Sequence, residues 1–275
     1  MLDVFYHSSE SMPELSNHSA QLVIGSPPFT NHPDGKTLDK LLYLRFVRTV
    51  FREASRVLKP GRLLVIINTD LRDHSRYNRG DVKFNGLLWQ KHSSIRKVAQ
   101  SIDFRCVETK IWAKSLSRNI YRYGFAYIQF FQKTGEGKSN SVRESIRKSF
   151  APDVWLLQGG GSRRDSRGFV FRDAFHPEIV SRCLEQFTAP GDLVVCPFAG
   201  SGTVPAVARL LGRRCVAFET DKHLKPLIEE TVARPERFPA FLRLLQTTAR
   251  LGSPAKAWDS ESSCPNSPKS RRLAK

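Results

Sequence analysis

No Cys-x-x-Cys pair occurs in this 275-residue chain, and its five cysteines (Cys106, Cys183, Cys196, Cys215, Cys264) are odd in number and scattered. That excludes the usual spacing of a zinc site and a disulfide framework, so no metal is assigned and reduced thiols in a cytoplasmic protein are expected. No apolar run is long enough to span a bilayer. The opening MLDVFYHSSE lacks the layout of a signal peptide. Acidic residues are scarce: 26 Asp and Glu stand against 44 Lys and Arg, a net charge of +18. The last stretch, 253–275, holds five basic and two acidic residues and accounts for only +3 of this. A body carrying the remaining excess suits a polyanionic partner, most simply nucleic acid.

Strand and helix patterns alternate along the chain. Leu22–Ile24 reads as a short buried strand, followed by an apolar spacing of three and four through Leu38, Leu41, Leu42, Phe46, Val50, Phe51, Ala54, Val57 and Leu58. Lys59-Pro60-Gly61 ends that helix, and RLLVIIN (62–68) reads as a central parallel strand. Residues 70–97 are polar and basic, with seven Lys and Arg. A helix over 93–101 and strands over 105–113 and 123–133 follow. Residues 134–168, with QGGGSRRDSRG, read as a basic loop or short insertion. A helix over 176–187, strand LVVC (193–196), loop PFAGSGT, helix 204–211 and strand CVAFE (215–219) come next, then a helical region over about 223–250 broken by Pro235 and Pro239. Residues 253–275 read as a disordered basic tail. The alternation predicts a mostly parallel, doubly wound α/β sheet forming one domain over residues 1–252.

Two loops carry chemistry. In PFAGSGT, Gly200 and Gly202 let backbone approach a ligand without a Cβ in the way, and the following helix start offers free N–H groups. Glu219, at the end of the next strand, stands where a carboxylate accepts from ribose hydroxyls. Pro205 replaces the third glycine of the dinucleotide fingerprint, and no lysine follows the glycines, so neither a close-packed pyrophosphate nor a triphosphate loop is supported. In SPPF, a strand ends at Ser26-Pro27-Pro28-Phe29. The prolines have no N–H. The stretch therefore offers acceptors (the Ser26 hydroxyl and the Ser26 and Pro27 carbonyls) together with a ring that can stack on a planar group. An amino group with two hydrogens suits it.

The ordered series GSPPF, LKPG with LLVIIN, IWAK (111–114), FHPEIV (175–180), PFAGSGT and VAFE resembles the N4-cytosine/N6-adenine DNA methyltransferases in their permuted "beta" order, over roughly Val4 to Glu230. The resemblance implies a Rossmann-like fold with S-adenosylmethionine as methyl donor. Phe198, Ala199, Gly200, Ser201, Gly202 and Thr203 would wall the cofactor, Glu219 would hold its ribose, and His176 and Pro177 would lie at its methionine end. A helix cap is the plain alternative for His176. Ser26, Pro27, Pro28 and Phe29 would form the catalytic motif, whose serine form implies cytosine rather than adenine in a base flipped from double-stranded DNA. Arg163, Arg164 and Arg167, with Arg72, Arg76, Arg79 and Lys83, are the candidate DNA contacts. Two departures stand out: Cys196 where the family usually carries aspartate, and YHSS at 6–9 in place of a Gly-Asp pair. RNA as substrate, or a non-catalytic nucleic-acid binder on the same fold, stay open as alternatives, as do a homodimer and a restriction partner.

Overall fold

A computed structural model describes residues 2–28, 39–73, 87–114, 124–135, 137, 150–158 and 161–250. The N-terminal strand β1 (Leu2–Phe5) is followed by β2 (Ala20–Gly25), helix α1 (Lys40–Val57) and the long β3 (Leu58–Asn68). A small antiparallel pair, β4 (Leu71–Asp73) and β5 (Leu87–Trp89), leads to helix α2 (Lys91–Gln100), then β6 (Phe104–Ala113) and β7 (Phe125–Lys133). Next come β8 (Val154–Leu156), β9 (Gly161–Arg164), β10 (Val170–Ala174) and helix α3 (Pro177–Phe187). Strand β11 (Leu193–Cys196), helix α4 (Thr203–Leu210), strand β12 (Arg214–Phe218) and helices α5 (Lys225–Ala233) and α6 (Pro239–Arg250) complete the described chain.

Eight strands form one sheet in the order β1-β12-β11-β2-β3-β7-β6-β8. The first five are mutually parallel, β7 runs against both its neighbours, and β8 runs parallel to β6. The side-chain alternation of a strand sends successive residues to opposite faces, and the two cores divide accordingly. Leu22, Ile24, Val65, Ile67, Val194, Cys196, Cys215 and Ala217 pack with α3, α4, α5 and α6. Val23, Leu64, Ile66, Val195, Val216 and Phe218 pack with α1 and α2. A sheet buried on both faces needs such continuous apolar runs, and the doubly wound fold follows from them.

Helix α1 starts where Asp39 accepts from the Leu41 and Leu42 amides at 2.9 and 3.0 Å, an N-cap. Its buried face is Tyr43, Val47, Val50, Phe51, Ala54 and Val57. Leu41 and Leu42, expected on that face, are 73% and 53% exposed. The helix ends at Val57, and Leu58 to Gly61 already belong to β3, so Lys59-Pro60-Gly61 is the first part of a strand.

The expected loop over 134–168 is corrected for its described part. β8 extends the main sheet beside β6, pairing Trp112 with Trp155, and β9 pairs antiparallel with β10. Trp155 is buried, its indole donating to the Phe150 carbonyl. The sequence expectation for the tail 253–275 lies outside the described residues. No helix among the described residues is long and apolar enough to cross a membrane.

Candidate active site

Sheet order brings the two chemistry-bearing loops together. β11 and β2 are neighbours, with Val194 opposite Leu22 and Val195 opposite Val23. On one side of this pair the chain proceeds to β12, on the other to β3, so the strand order reverses here. Such a switch point opens a crevice at the carboxyl ends of the strands. Ser26–Pro28 leave β2 at that edge and Pro197–Gly202 leave β11 beside them. A Cβ on Gly25 would come within 3.3 Å of the Phe198 ring and 3.4 Å of Pro197, so glycine there lets the loops approach.

The glycine loop is tied by its own neighbourhood. Gly200 has φ +54° and Gly202 φ +78°, conformations that favour glycine. Gly202 is the N-cap of α4, and a Cβ on it would lie 3.0 Å from the Ile228 Cα. Ala199 N–H donates to the Phe218 carbonyl at 2.8 Å, and Gly202 N–H to the Ala199 carbonyl at 2.9 Å. Half-buried Glu219 accepts from the Gly200 N–H at 2.8 Å and the Asp221 N–H at 3.0 Å. A carboxylate has about four acceptor positions, so two remain for a ligand's hydroxyls. The Ser201 and Thr203 hydroxyls lie 3.0 Å apart, both buried. Phe198 is half-buried, its ring centroid 6.0 Å from that of Phe46 on α1.

Cys196 sits fully buried at the end of β11, its thiol donating to the Phe198 carbonyl at 3.3 Å. Burial pushes the thiol's pKa up to about 12, against a smaller opposing effect of the Phe198 bond, so it stays protonated and acts as a neutral donor under the loop. The other departure, YHSS, follows β1. Tyr6 has its pKa raised by burial and by nearby Glu229 and Glu219, and His7 lies 2.8 Å from Glu14, its ring packed edge-on to Phe218.

His176 caps α3. Its Nδ1 accepts from the Glu178 N–H at 3.2 Å, and Pro177 starts the helix. Burial lowers its pKa, with the cations Arg243, Arg163 and Arg182 adding to that and Glu178 opposing, which keeps the ring neutral and able to accept.

Arg163 is the clearest correction. It is 3% exposed, and its Nη1 donates to the Ser201 hydroxyl at 3.0 Å and to the Ser201 carbonyl at 3.3 Å. Its guanidinium lies 4.8 Å from the Phe241 ring centroid, and burial pulls its pKa down to about 9. A guanidinium held there ties β9 to the glycine loop, where it serves as an internal support. With Arg164, His176, Arg237 and Arg243 it lines a basic cavity of about 730 Å³. Arg164 is exposed, and Arg167 pairs with Asp165 at 2.7 Å and donates to the His223 carbonyl. Arg72 lies on β4. Phe29, Arg76, Arg79 and Lys83 lie outside the described residues.

The sequence reading missed a buried polar group on the other side of the crevice. Beyond β3, Asp70 is 7% exposed and accepts from the His92 N–H at 3.1 Å and Nδ1 at 2.7 Å. The His92 ring stacks on Tyr127 with centroids 4.0 Å apart. Gln129 donates to the His92 carbonyl and accepts from Asn68. Lys91, 1% exposed, donates to the Pro28 carbonyl at 2.9 Å. The available signal was positional: a lysine begins α2, where the helix dipole favours an acid.

The chain matches the N6/N4 family described as DNA methylase over residues 20–230. It is 26% identical to the type II methyltransferase M.MjaI of Methanocaldococcus jannaschii, over 83% of this chain and 90% of that protein. It is 21% identical to the type II methyltransferase M.HinfI of Haemophilus influenzae, over 86% and 69%. Among solved structures, a candidate DNA modification methylase of Thermus thermophilus aligns at a TM-score of 0.64 and 25% identity, over 85% of this chain and 94% of that one. The cytosine-N4-specific PvuII DNA methyltransferase aligns at 0.65 and 18% identity, over 91% and 92%, a likeness of fold.

Proposed function

The chain belongs to the N6/N4 DNA methylases, which are S-adenosylmethionine-dependent enzymes, and from that premise we propose that it methylates the exocyclic amine of a base flipped out of duplex DNA, cytosine N4 in preference to adenine N6. The observation supporting this reading most directly is the adjacency of β2 and β11, which sets Ser26–Pro28 beside Phe198–Gly202.

The donors and acceptors at the crevice support the cofactor assignment. Gly200 and Gly202 keep the loop free of side chains, and Glu219 ends β12 with acceptor positions to spare. Phe198, Ala199, Ser201 and Thr203 belong to the same loop, and His176 and Pro177 start α3. When bound, S-adenosylmethionine supplies a methyl group already activated on a sulfonium. The residues of this chain then have three tasks: to hold the base, to orient its amine and to accept hydrogen bonds from it.

An exocyclic amine is a weak nucleophile because its lone pair is delocalised into the ring. The Ser26 hydroxyl and the carbonyls of Ser26 and Pro27 would draw on the amine's hydrogens and favour a more tetrahedral nitrogen as the nitrogen–methyl bond forms and the methyl's bond to sulfur breaks, the amine's surplus proton passing to water. Ser26 is half-buried and Pro27 buried, so these acceptors act away from bulk water. Positioning the amine in line with the methyl converts an encounter into a step within one complex. Extruding the base costs a few kcal/mol, and stacking on Phe29 offsets about 1–3 kcal/mol of that.

The test is transfer of a tritiated methyl group from the cofactor to unmodified genomic DNA and, separately, to RNA, followed by mass spectrometry of the nucleosides. Label in DNA recovered as 4-methylcytosine is the expected result. Recovery as 6-methyladenine would reassign the base. Label confined to RNA, or no transfer at saturating cofactor, would overturn the reading.

A further inference from the structure

The acceptor loop has a weakness that follows from its own sequence. Pro27 and Pro28 carry no N–H, so these residues cannot anchor the loop by donating to the surrounding fold. Their carbonyls, by contrast, are strong acceptors that need donors from elsewhere. The glycine loop across the crevice has Ala199, Gly200 and Gly202 amides, all of them bonded. The proline loop requires a donor supplied at long range.

That donor is a lysine 63 residues further along the chain: Lys91 Nζ meets the Pro28 carbonyl at 2.9 Å. Its placement breaks two local rules at once. A lysine is rarely buried this completely, and a cation at the first residue of a helix opposes the macrodipole. Helix α2 has no acid in its first turn, and Gln90 makes no side-chain cap. The offsetting group comes from outside: Asp70, beyond β3, accepts from the second helical amide and sits close enough to favour the lysine's charge. The lysine's ammonium also lies 4.6 Å from the centroid of the buried Tyr43 ring on α1, a cation–π position. Such violations of local preference concentrate at functional sites.

We infer that Lys91 is a positioning residue for methyl transfer: its ammonium pins the Pro28 carbonyl and so fixes the direction in which Ser26 and Pro27 present their acceptors. The inference rests on the reading of Ser26–Pro28 as the acceptor motif. The titratable groups around Lys91 include Asp70 after β3 and Tyr43 on α1, and Asp70 in turn meets His92 and Tyr127. Burial pulls the lysine's pKa down to about 7, Asp70 opposing. The charge-assisted bond to Pro28 is therefore present below neutrality and weakened above it.

The experiment compares wild type, Lys91→Met and Lys91→Arg in three measurements: methyl transfer to genomic DNA from pH 6 to 9, cofactor affinity by calorimetry, and hydrogen exchange at the Gly25 and Ser26 amides. Misplacement of reacting groups by about 1 Å costs on the order of 100-fold. We expect Lys91→Met to lose about that much kcat at pH 6.5, to hold cofactor affinity within twofold, and to exchange faster at Gly25 and Ser26 but not at Ala199–Gly202. In wild type, kcat declines as pH rises through 7. Lys91→Arg, charged throughout, restores most of the activity without that decline. Full kcat in Lys91→Met, or a parallel loss of kcat, cofactor affinity and melting temperature, would overturn the inference. If wild type transfers no methyl group to DNA, the proposed function fails instead. The exchange rates then decide on Lys91 alone, and unchanged rates in Lys91→Met would refute the tie.

Discussion

The two loops that face each other across the crevice are built by opposite means. The glycine loop is fastened chiefly through its own backbone N–H groups, where Glu219 grips Gly200, Phe218 receives Ala199 and Ala199 receives Gly202, with the Arg163 guanidinium from β9 added at Ser201. The proline loop has surrendered its donors and is fastened by a side chain from α2. The difference matches what each must do. A loop that wraps a ligand benefits from backbone N–H groups and glycine conformations, whereas one that only accepts hydrogen bonds benefits from having no N–H to compete. Each loop meets a distant buried cation, Arg163 on one side and Lys91 on the other, but the two prolines contribute no amides to share the task.

Substitutions can break this contrast one side at a time. Ser26→Ala removes an acceptor aimed at the amine, and we expect kcat to fall about 10²–10³-fold, the scale for deleting one preorganised polar group. Cofactor affinity measured by calorimetry should be unchanged, since the glycine loop is untouched. Equal losses of both would mean that Ser26 serves the cofactor instead. Gly202→Ala attacks the other side. It places a Cβ 3.0 Å from the Ile228 Cα at φ +78°, with about 1–2 kcal/mol of left-handed strain and about 1–3 kcal/mol of overpacking. A lower melting temperature and weaker cofactor binding should appear together, and an unchanged melting curve would contradict the tight contact.

The smallest effect sharpens the comparison through pH. Lys91 titrates near 7 folded and near 10.5 in the unfolded chain. Between these values the unfolded state binds more protons, so this group makes stability rise with pH. Its contribution is complete above 10.5 and is lost as pH falls through 7. Wild type should therefore gain stability relative to Lys91→Met from pH 7 to 9, by about 2 kcal/mol, read as melting temperature at about 2–4 °C per kcal/mol for a chain of this size. Activity is expected to move the other way over the same range, so stability and turnover separate. Matching trends would remove the basis for treating the ammonium as the working form.

Much of the cofactor side could be read from local sequence. LVVC forms β11 as expected, and the next strand and helix differ by one residue at their ends. Glycines, a short strand and a terminal acid lie within 25 residues, so their spacing alone implies their arrangement. Arg163 shows the limit. In GGGSRRDSRG it reads as a solvated cation, and its burial is decided by Phe238 and Phe241, more than 70 residues away. Lys91 was hidden in the same manner, one of seven cations in a basic stretch, with a partner in another element. Leu41 and Leu42 fit a helical spacing yet face outward, because that spacing continues past the edge of the surface α1 covers. Charge and periodicity indicate what a residue tolerates; packing between distant elements selects which residue is enclosed.

The order of the strands has a consequence for how the chain comes to be assembled. β1, at one margin of the sheet, pairs with β12, with Leu2 opposite Cys215. Synthesis proceeds at about 5–20 residues per second, so a nascent chain carries β1 without its mate for roughly 10–40 s. During that interval the acceptor half, β2 with α1 and β3, can already collapse, while the edge that will seat the donor has not yet been synthesised. Completion of the crevice is thus a late event in biogenesis, and a truncated product ending before residue 214 would expose an apolar flank for chaperones to recognise.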